Sequence, residues 1–288
     1  MKKITLFALA LAALASCSKD SSNPASNDPV EVTFSSAIET RASGTSWSAN
    51  DEIGIFMLDG TDNIDILSSN VAYKTSGDGK FSGSDALIYY PQTGTVDFLA
   101  YYPYQSDMVD YSYSINTADQ SDLEAIDLMI ATKVEDLTET SGTASLSFKH
   151  ELCEVIFNLQ SNGSLTDEEL EGLSATLGSV LTTNAYDISD SSFGTAAGAD
   201  TIDLNVSEDG KTITVILVPQ TISAATLTFT LEDGKKFTGS YYETLVSGKS
   251  YSYTVPVGQN IFEVGAATIT GWGDGTETHG GTINTQMQ

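Results

Sequence analysis

From residue 30 onward the chain alternates apolar and polar positions with a period of two. In residues 30–38, Val32, Phe34 and Ile38 share one parity and face a core, while Glu31 and Thr33 face out. Further strands are predicted at 52–58, 72–75, 86–90, 95–102, 127–132, 143–150 and 154–160. They continue at 212–218, 225–231, 236–242 and 250–257. Glycine-bearing turns at 76–80, 92–94, 232–234 and 246–248 punctuate these runs. Helical periodicity is best at 165–177, where Thr166 and Glu169 have capping-box spacing. The glycine-rich stretch 193–199 reads as a long loop. Many short strands with turn signals predict an all-β protein made of β-sandwiches. The length exceeds what one seven-stranded sandwich needs, so two domains are expected, at 42–141 and 142–257, divided at the small polar break 140–142.

The pattern upstream is different. Met1, Lys2 and Lys3 precede an apolar run at 4–14, and Leu14, Ala15 and Ser16 lead to Cys17. That run is too short to span a bilayer as a stable helix and has the layout of a secretory signal, 1–16. Small residues before a cysteine are what lipoprotein signal peptidase requires, so Cys17 is the expected lipidation site. Two or three acyl chains there, at about 0.8 kcal/mol per buried methylene, anchor stably where one chain does not. Ser18 does not argue for retention at the inner membrane, so the precursor reads as an outer-membrane lipoprotein. Residues 18–29, polar with two prolines, form a tether.

Charge narrows the partners. The formal net charge is −27, and residues 1–41 balance four acids against four bases, so all of it lies beyond Arg41. Such a body repels nucleic acid and anionic lipid. With Cys17 lipidated, Cys153 has no partner in the chain, and packing must supply the stability that disulfides give other exported proteins.

Candidate chemistry is sparse. His150 and Cys153 are three apart, where apolar parity switches from Leu146, Phe148 and Leu152 to Val155, Phe157 and Leu159, as a bulge would cause. Two ligands do not make a zinc site, and no third group orients a Cys–His nucleophile, so His150 reads as a core histidine. Asp59, Asp62, Asn63 and Asp65 have oxygen ligands at spacings open to calcium, but the glycine and glutamate of an EF-hand loop are absent. That stretch reads as a solvated loop tip. Tyr89, Tyr90, Tyr101, Tyr102 and Tyr104 suit either a sugar-stacking platform or, more often, a sandwich core. No phosphate loop, dinucleotide fingerprint or serine-nucleophile elbow is present. No metal, cofactor or catalytic role is expected.

Two features point to processing and assembly. Arg41 is the chain's single arginine, so an arginine-specific protease has one place to cut, just after the 30–38 strand and before Ala42. Beyond Val257, residues 258–288 still carry apolar stretches at 261–264, 266–272 and 282–287. This tail is a strand donated to another subunit, a frayed terminus, or an extra edge strand on its own domain.

Taken in order, several segments resemble those of fimbrillin-type pilins, subunits of pili made by anaerobic Gram-negative bacteria. They are the lipobox at Cys17, residues 34–42, 47–57 from Trp47, and 88–91 with Tyr89, Tyr90 and Pro91. Then come 96–104, 127–129, 146–150, 218–221, 248–253 and 269–272 ending at Trp272. The resemblance implies two tandem transthyretin-like (Greek-key) β-sandwich domains, lipoprotein export, and removal of the first strand by an Arg- or Lys-specific protease. Mapped here, the cut falls after Arg41 and takes away the lipid with the strand bearing Val32, Phe34 and Ile38. The implied donor candidates in the tail are Ile261, Val264, Ile269, Trp272 and Ile283. The implied partners are further copies of the chain or related pilins, joined head to tail in a pilus as shaft or tip subunits. A second class is a permanently lipid-anchored outer-membrane lipoprotein that binds a glycan or host protein through the tyrosine-rich face.

Overall fold

The computed structural model describes residues 28–38, 46–61, 65–108, 110–161, 165–258, 261–262 and 267–272. Cys17, Arg41, Ala42, Asp62, Asn63, Val264 and Ile283 lie outside them. The first nine strands are β1 (Phe34–Ile38), β2 (Glu52–Asp59), β3 (Ile66–Thr75), β4 (Lys80–Gly83), β5 (Val96–Tyr102), β6 (Ser112–Asn116), β7 (Met129–Ala131), β8 (Val134–Leu137) and β9 (Ala144–His150). They are followed by β10 (Cys153–Ser161), β11 (Ser174–Asp187), β12 (Ser192–Phe193), β13 (Ala197–Asp203), β14 (Asn205–Val206), β15 (Thr212–Leu217) and β16 (Gln220–Thr230). The last four are β17 (Lys236–Leu245), β18 (Lys249–Gly258), β19 (Ile261–Phe262) and β20 (Thr268–Gly271).

The all-β expectation holds, but the two tandem transthyretin-like Greek-key sandwiches do not. In the N-terminal half the order β2-β3-β4-β1-β9-β7-β5 returns to its start, because β5 also pairs with β2. Seven strands thus close into a barrel, with β8 alongside β5. Alternation shows which side chains point inward but not which strands are neighbours, so it reads the same for a sandwich and a barrel. Ile53, Ile55, Met57, Tyr73, Val96, Phe98, Ala100, Leu146 and Phe148 point into the barrel. β2 and β5 are apolar on both faces, because Phe56, Leu58, Leu99 and Tyr101 pack outward against Tyr113, Tyr186, Ile216 and Trp272. Gly54 makes this possible: a Cβ there would lie 2.1 Å from the Tyr101 ring.

The second half comprises two sheets around one core. One runs β14-β15-β10-β18-β19 with β20 also on β18; the other runs β12-β11-β16-β17 with β13 and β6 on β11. Phe157, Leu177, Val215, Leu227, Phe229, Tyr241 and Tyr253 fill the space between them. The segment 140–142 is a turn between β8 and β9, both on the barrel sheet, and the chain leaves that sheet at Glu151 and Leu152. The parity switch between His150 and Cys153 is therefore a passage between sheets and not a bulge. The expected helix at 165–177 is absent. Thr166 N donates to Glu169 Oε2 at 2.7 Å, as in a capping box, but the chain turns at 166–172 and enters β11. Leu177, Val180 and Tyr186 gain more from the core and interface than a short helix offers. The expected loop at 193–199 contains the end of β12 and the start of β13.

Candidate assembly site: a strand that closes the barrel

β1 is the strand that closes the barrel between β4 and β9. It runs parallel to β9, with Phe34 opposite Ala144 and Ile38 opposite Phe148. It runs antiparallel to β4, with Phe34 opposite Phe81 and Ser35 opposite Lys80. The pairing extends upstream: Val32 N donates to Ile88 O and Tyr90 N to Val30 O, each at 2.9 Å, while Ala144 N donates to Thr33 O at 2.8 Å. At the other end Ser36 N donates to Gly79 O at 2.7 Å. Gly79, at φ +73°, turns tightly enough for this, and a Cβ there would stand 2.9 Å from Ser36 O.

The side chains follow the alternation. Val32 and Phe34 are fully buried in the barrel, and Ile38 packs on its core half-buried. Phe34 meets Tyr73 edge-on at 4.9 Å and Phe98 at 5.2 Å between ring centroids. Burying Val32 and Phe34 contributes about 1.5–3 kcal/mol each. The Tyr73 hydroxyl accepts the Ile88 N–H at 2.8 Å, and burial pushes its phenol above the usual range. Without β1 the barrel would lose these groups and expose the ladder edges of β4 and β9.

The tail candidates are placed in different ways. Ile261 is in β19, against β18. Ile269 is in β20, antiparallel to β18 opposite Tyr251, and packs on the sandwich core. Trp272 is buried, donates its backbone N–H to Gly248 O at 2.6 Å, and stacks its ring on His150 at 4.3 Å. Ile261 and Ile269 thus lie in two separate short strands on β18, and Trp272 directly follows the second.

His150 is a core residue, though its surroundings were not legible in advance. Its Nδ1 lies 2.8 Å from Asp127 Oδ2, close enough for an ion pair but outside hydrogen-bond geometry. Cys153, on the other sheet, donates its thiol to Val246 O at 3.1 Å, and burial pushes that thiol up, away from reactivity. Tyr90, Tyr101 and Tyr102 are buried and Tyr104 is half-buried against the core, leaving Tyr89 exposed, so the tyrosine run mainly builds core. Asp59 accepts the N–H of Thr61 at 2.8 Å, and Thr61 holds its carboxyl below the usual range. Among the described residues no group of three or more His, Cys, Asp or Glu side chains could hold a metal ion.

Comparison with known proteins places this geometry. The profile of the family described as "Fimbrillin-like" matches residues 40–272, and that of the prokaryotic membrane lipoprotein lipid attachment site matches 1–18. The chain is 30% identical over 295 residues to the "Putative fimbrium subunit Fim1C" of Bacteroides uniformis, covering 96% of this chain and 97% of that one. A crystal structure of a "putative cell adhesion protein" from Bacteroides uniformis superposes with a TM-score of 0.73 at 26% identity, covering 84% of this chain and 98% of the other. A similarly described protein from Bacteroides ovatus, 21% identical with a TM-score of 0.69, shares the fold over 85% of this chain and 98% of its own. These matches make the protein a fimbrial subunit, structural and not enzymatic. It begins as an outer-membrane lipoprotein and ends in a cell-surface pilus. It belongs to the fimbrillin-like family of bacterial surface pilin lipoproteins.

Proposed function

We propose that this pilin assembles by strand exchange, as a shaft or tip subunit, after an arginine-specific protease cuts behind Arg41. The observation that carries the reading is the position of β1, which closes the barrel between β4 and β9 and lies just upstream of the single arginine. A cut between Arg41 and Ala42 would release residues 17–41, carrying the lipid on Cys17 and the strand bearing Val32, Phe34 and Ile38. The groove left between β4 and β9 would offer two ladder edges and apolar sockets at alternate positions, a template for a foreign strand. The donor is the 258–288 appendage of another copy or a related pilin. Because 267–272 pack on their own chain, residues beyond Trp272, including Ile283, are favoured over Ile269 and Trp272. Head-to-tail donation does not close on itself and builds a filament.

The permanently anchored binding lipoprotein has less support, since burial of Tyr90, Tyr101 and Tyr102 removes most of its proposed platform. The deciding experiment is limited digestion of the unlipidated protein with an arginine-specific protease beside Arg41→Ala. The expected result is one cut after Arg41, loss of the N-terminal strand, and a ladder of multimers on a non-boiled gel that the variant lacks. A cut protein that stays monomeric contradicts the proposal.

A further inference from the structure

We propose that residues 105–120 form a strap that locks the barrel to the second half, so that the two halves open only together. The chain leaves the barrel after β5, adds β6 to the second half, and returns to the barrel as β7. β6 therefore belongs to the first half by sequence and to the second by pairing.

One edge of β6 is held by backbone. Its register on β11 runs from Ser112 opposite Asp187 to Asn116 opposite Thr183. Ile188 N donates to Tyr111 O at 3.0 Å and Thr117 N to Thr182 O at 2.8 Å, which extends the pairing at both ends. The other edge is held by a side chain. Gln105 Nε2 donates to Ser114 O at 2.9 Å, and its Oε1 accepts the Ser114 N–H at 3.4 Å, so the amide stands where a further strand would. Gln105 is itself fixed to the barrel. Asn70 of β3 donates to its carbonyl at 2.8 Å, and its N–H donates to the hydroxyl of Tyr101 on β5 at 3.1 Å.

Gln120 repeats the arrangement on the other sheet. Its Nε2 donates to Ile216 O at 2.9 Å, and its Oε1 accepts the Ile216 N–H at 2.8 Å. β14 pairs with β15 at Ile213 and Thr214, so the Gln120 amide takes the next place along the same edge. Gln120 is 2% exposed, and removing a buried amide that satisfies both backbone groups of one residue leaves them without partners.

The strap thus grips the barrel and both sheets of the second half. Tyr113 and Ile115 fill the apolar interface beneath it, with the Tyr113 ring 5.5 Å from that of Tyr101. Apolar contact alone is non-directional and lets two surfaces slide, whereas amides paired to single backbone positions do not. Subunits of a pilus bear tension in series, so a joint that slipped would lengthen the filament and a locked one keeps it stiff. The proposal does not depend on strand exchange.

The test is native-state amide hydrogen exchange of the full, unlipidated chain. Protection at Phe56 and Leu99 in the barrel is compared with protection at Phe157 and Val215 in the second half. A shared global opening gives both halves the same protection, within about fivefold, in the parent protein. In the double variant Gln105→Leu with Gln120→Leu the halves should separate by more than about fivefold, because leucine keeps the bulk and the apolar contact and removes only the amides. Gln105 is half-buried, so Gln105→Leu alone retains the fold even if the double variant does not, and the same separation is expected there. Protection that already differs beyond that limit in the parent, or that stays matched in the variants, overturns the proposal.

Discussion

β1 and β20 are both short, but β1 joins a strand far away in sequence and β20 one close by, and they are held by different means. β1 has a neighbour on each side and places Phe34 among the aromatic rings of a closed barrel. β20 has a neighbour on one side, and its own side chains are exposed to half-buried. It is fastened at its ends, by buried Ala267 before it and buried Trp272 after it. A strand within a closed barrel cannot leave without opening the barrel, whereas an edge strand can peel while the sheet stays intact. Removing β1 would therefore open the barrel, whereas removing β20 would only uncover one edge of β18.

Substitutions should expose that difference. Phe34→Ala has the largest expected effect, a loss of about 3–5 kcal/mol in urea unfolding, because the cavity opens inside the barrel. Trp272→Ala is expected to cost less, about 2–3 kcal/mol, since the neighbouring edge strand β20 can collapse toward the gap. Its hydrogen-exchange signature should be faster exchange in β20 with β1 unchanged; equal loosening of both strands would erase the contrast. Ile269→Ala, on the half-buried face of β20, should cost about 1 kcal/mol.

The smallest effect depends on pH. Glu154, on β10 beside the strand that carries β20, is buried, and its carboxyl is pushed up by that burial despite the Ser250 hydroxyl 2.6 Å away. The folded state thus binds this proton more tightly than the unfolded chain. The stability it contributes is present below the ordinary carboxylate range and is lost as pH rises through the raised value. Glu154→Gln should match the parent protein in acid and exceed it at neutral pH, measured as thermal midpoint against pH. A variant that is less stable at neutral pH would show that the Ser250 bond outweighs burial.

Much of this was legible in the alternation of single strands. The parity of Val32 and Phe34 gave their burial, and residues 95–102 read as a strand, though not as one buried on both faces. The partners of those strands were not legible, because the parallel pairing of β1 with β9 joins residues more than a hundred positions apart. Barrel closure depends on that pairing and on the β2–β5 contact, neither of which leaves a local mark. The switch in parity after His150 was a real signal assigned to the wrong cause. Thr166 and Glu169 likewise made the predicted bond without the predicted helix, since one capping interaction of about 1 kcal/mol cannot outweigh the burial of a long strand. The stack of Trp272 on His150 joins residues whose types hinted at importance but not at each other.

The central claim is that β1 fills a groove which another strand can refill. Amide hydrogen exchange of β4 and β9 tests it most directly, measured in the uncut protein, after the cut behind Arg41, and again in the multimers. The account predicts slow exchange at Leu146 and Phe148 before cutting, fast exchange once β1 has left, and slow exchange again upon assembly. Protection that survives the loss of β1, or that never returns in the multimers, would contradict it.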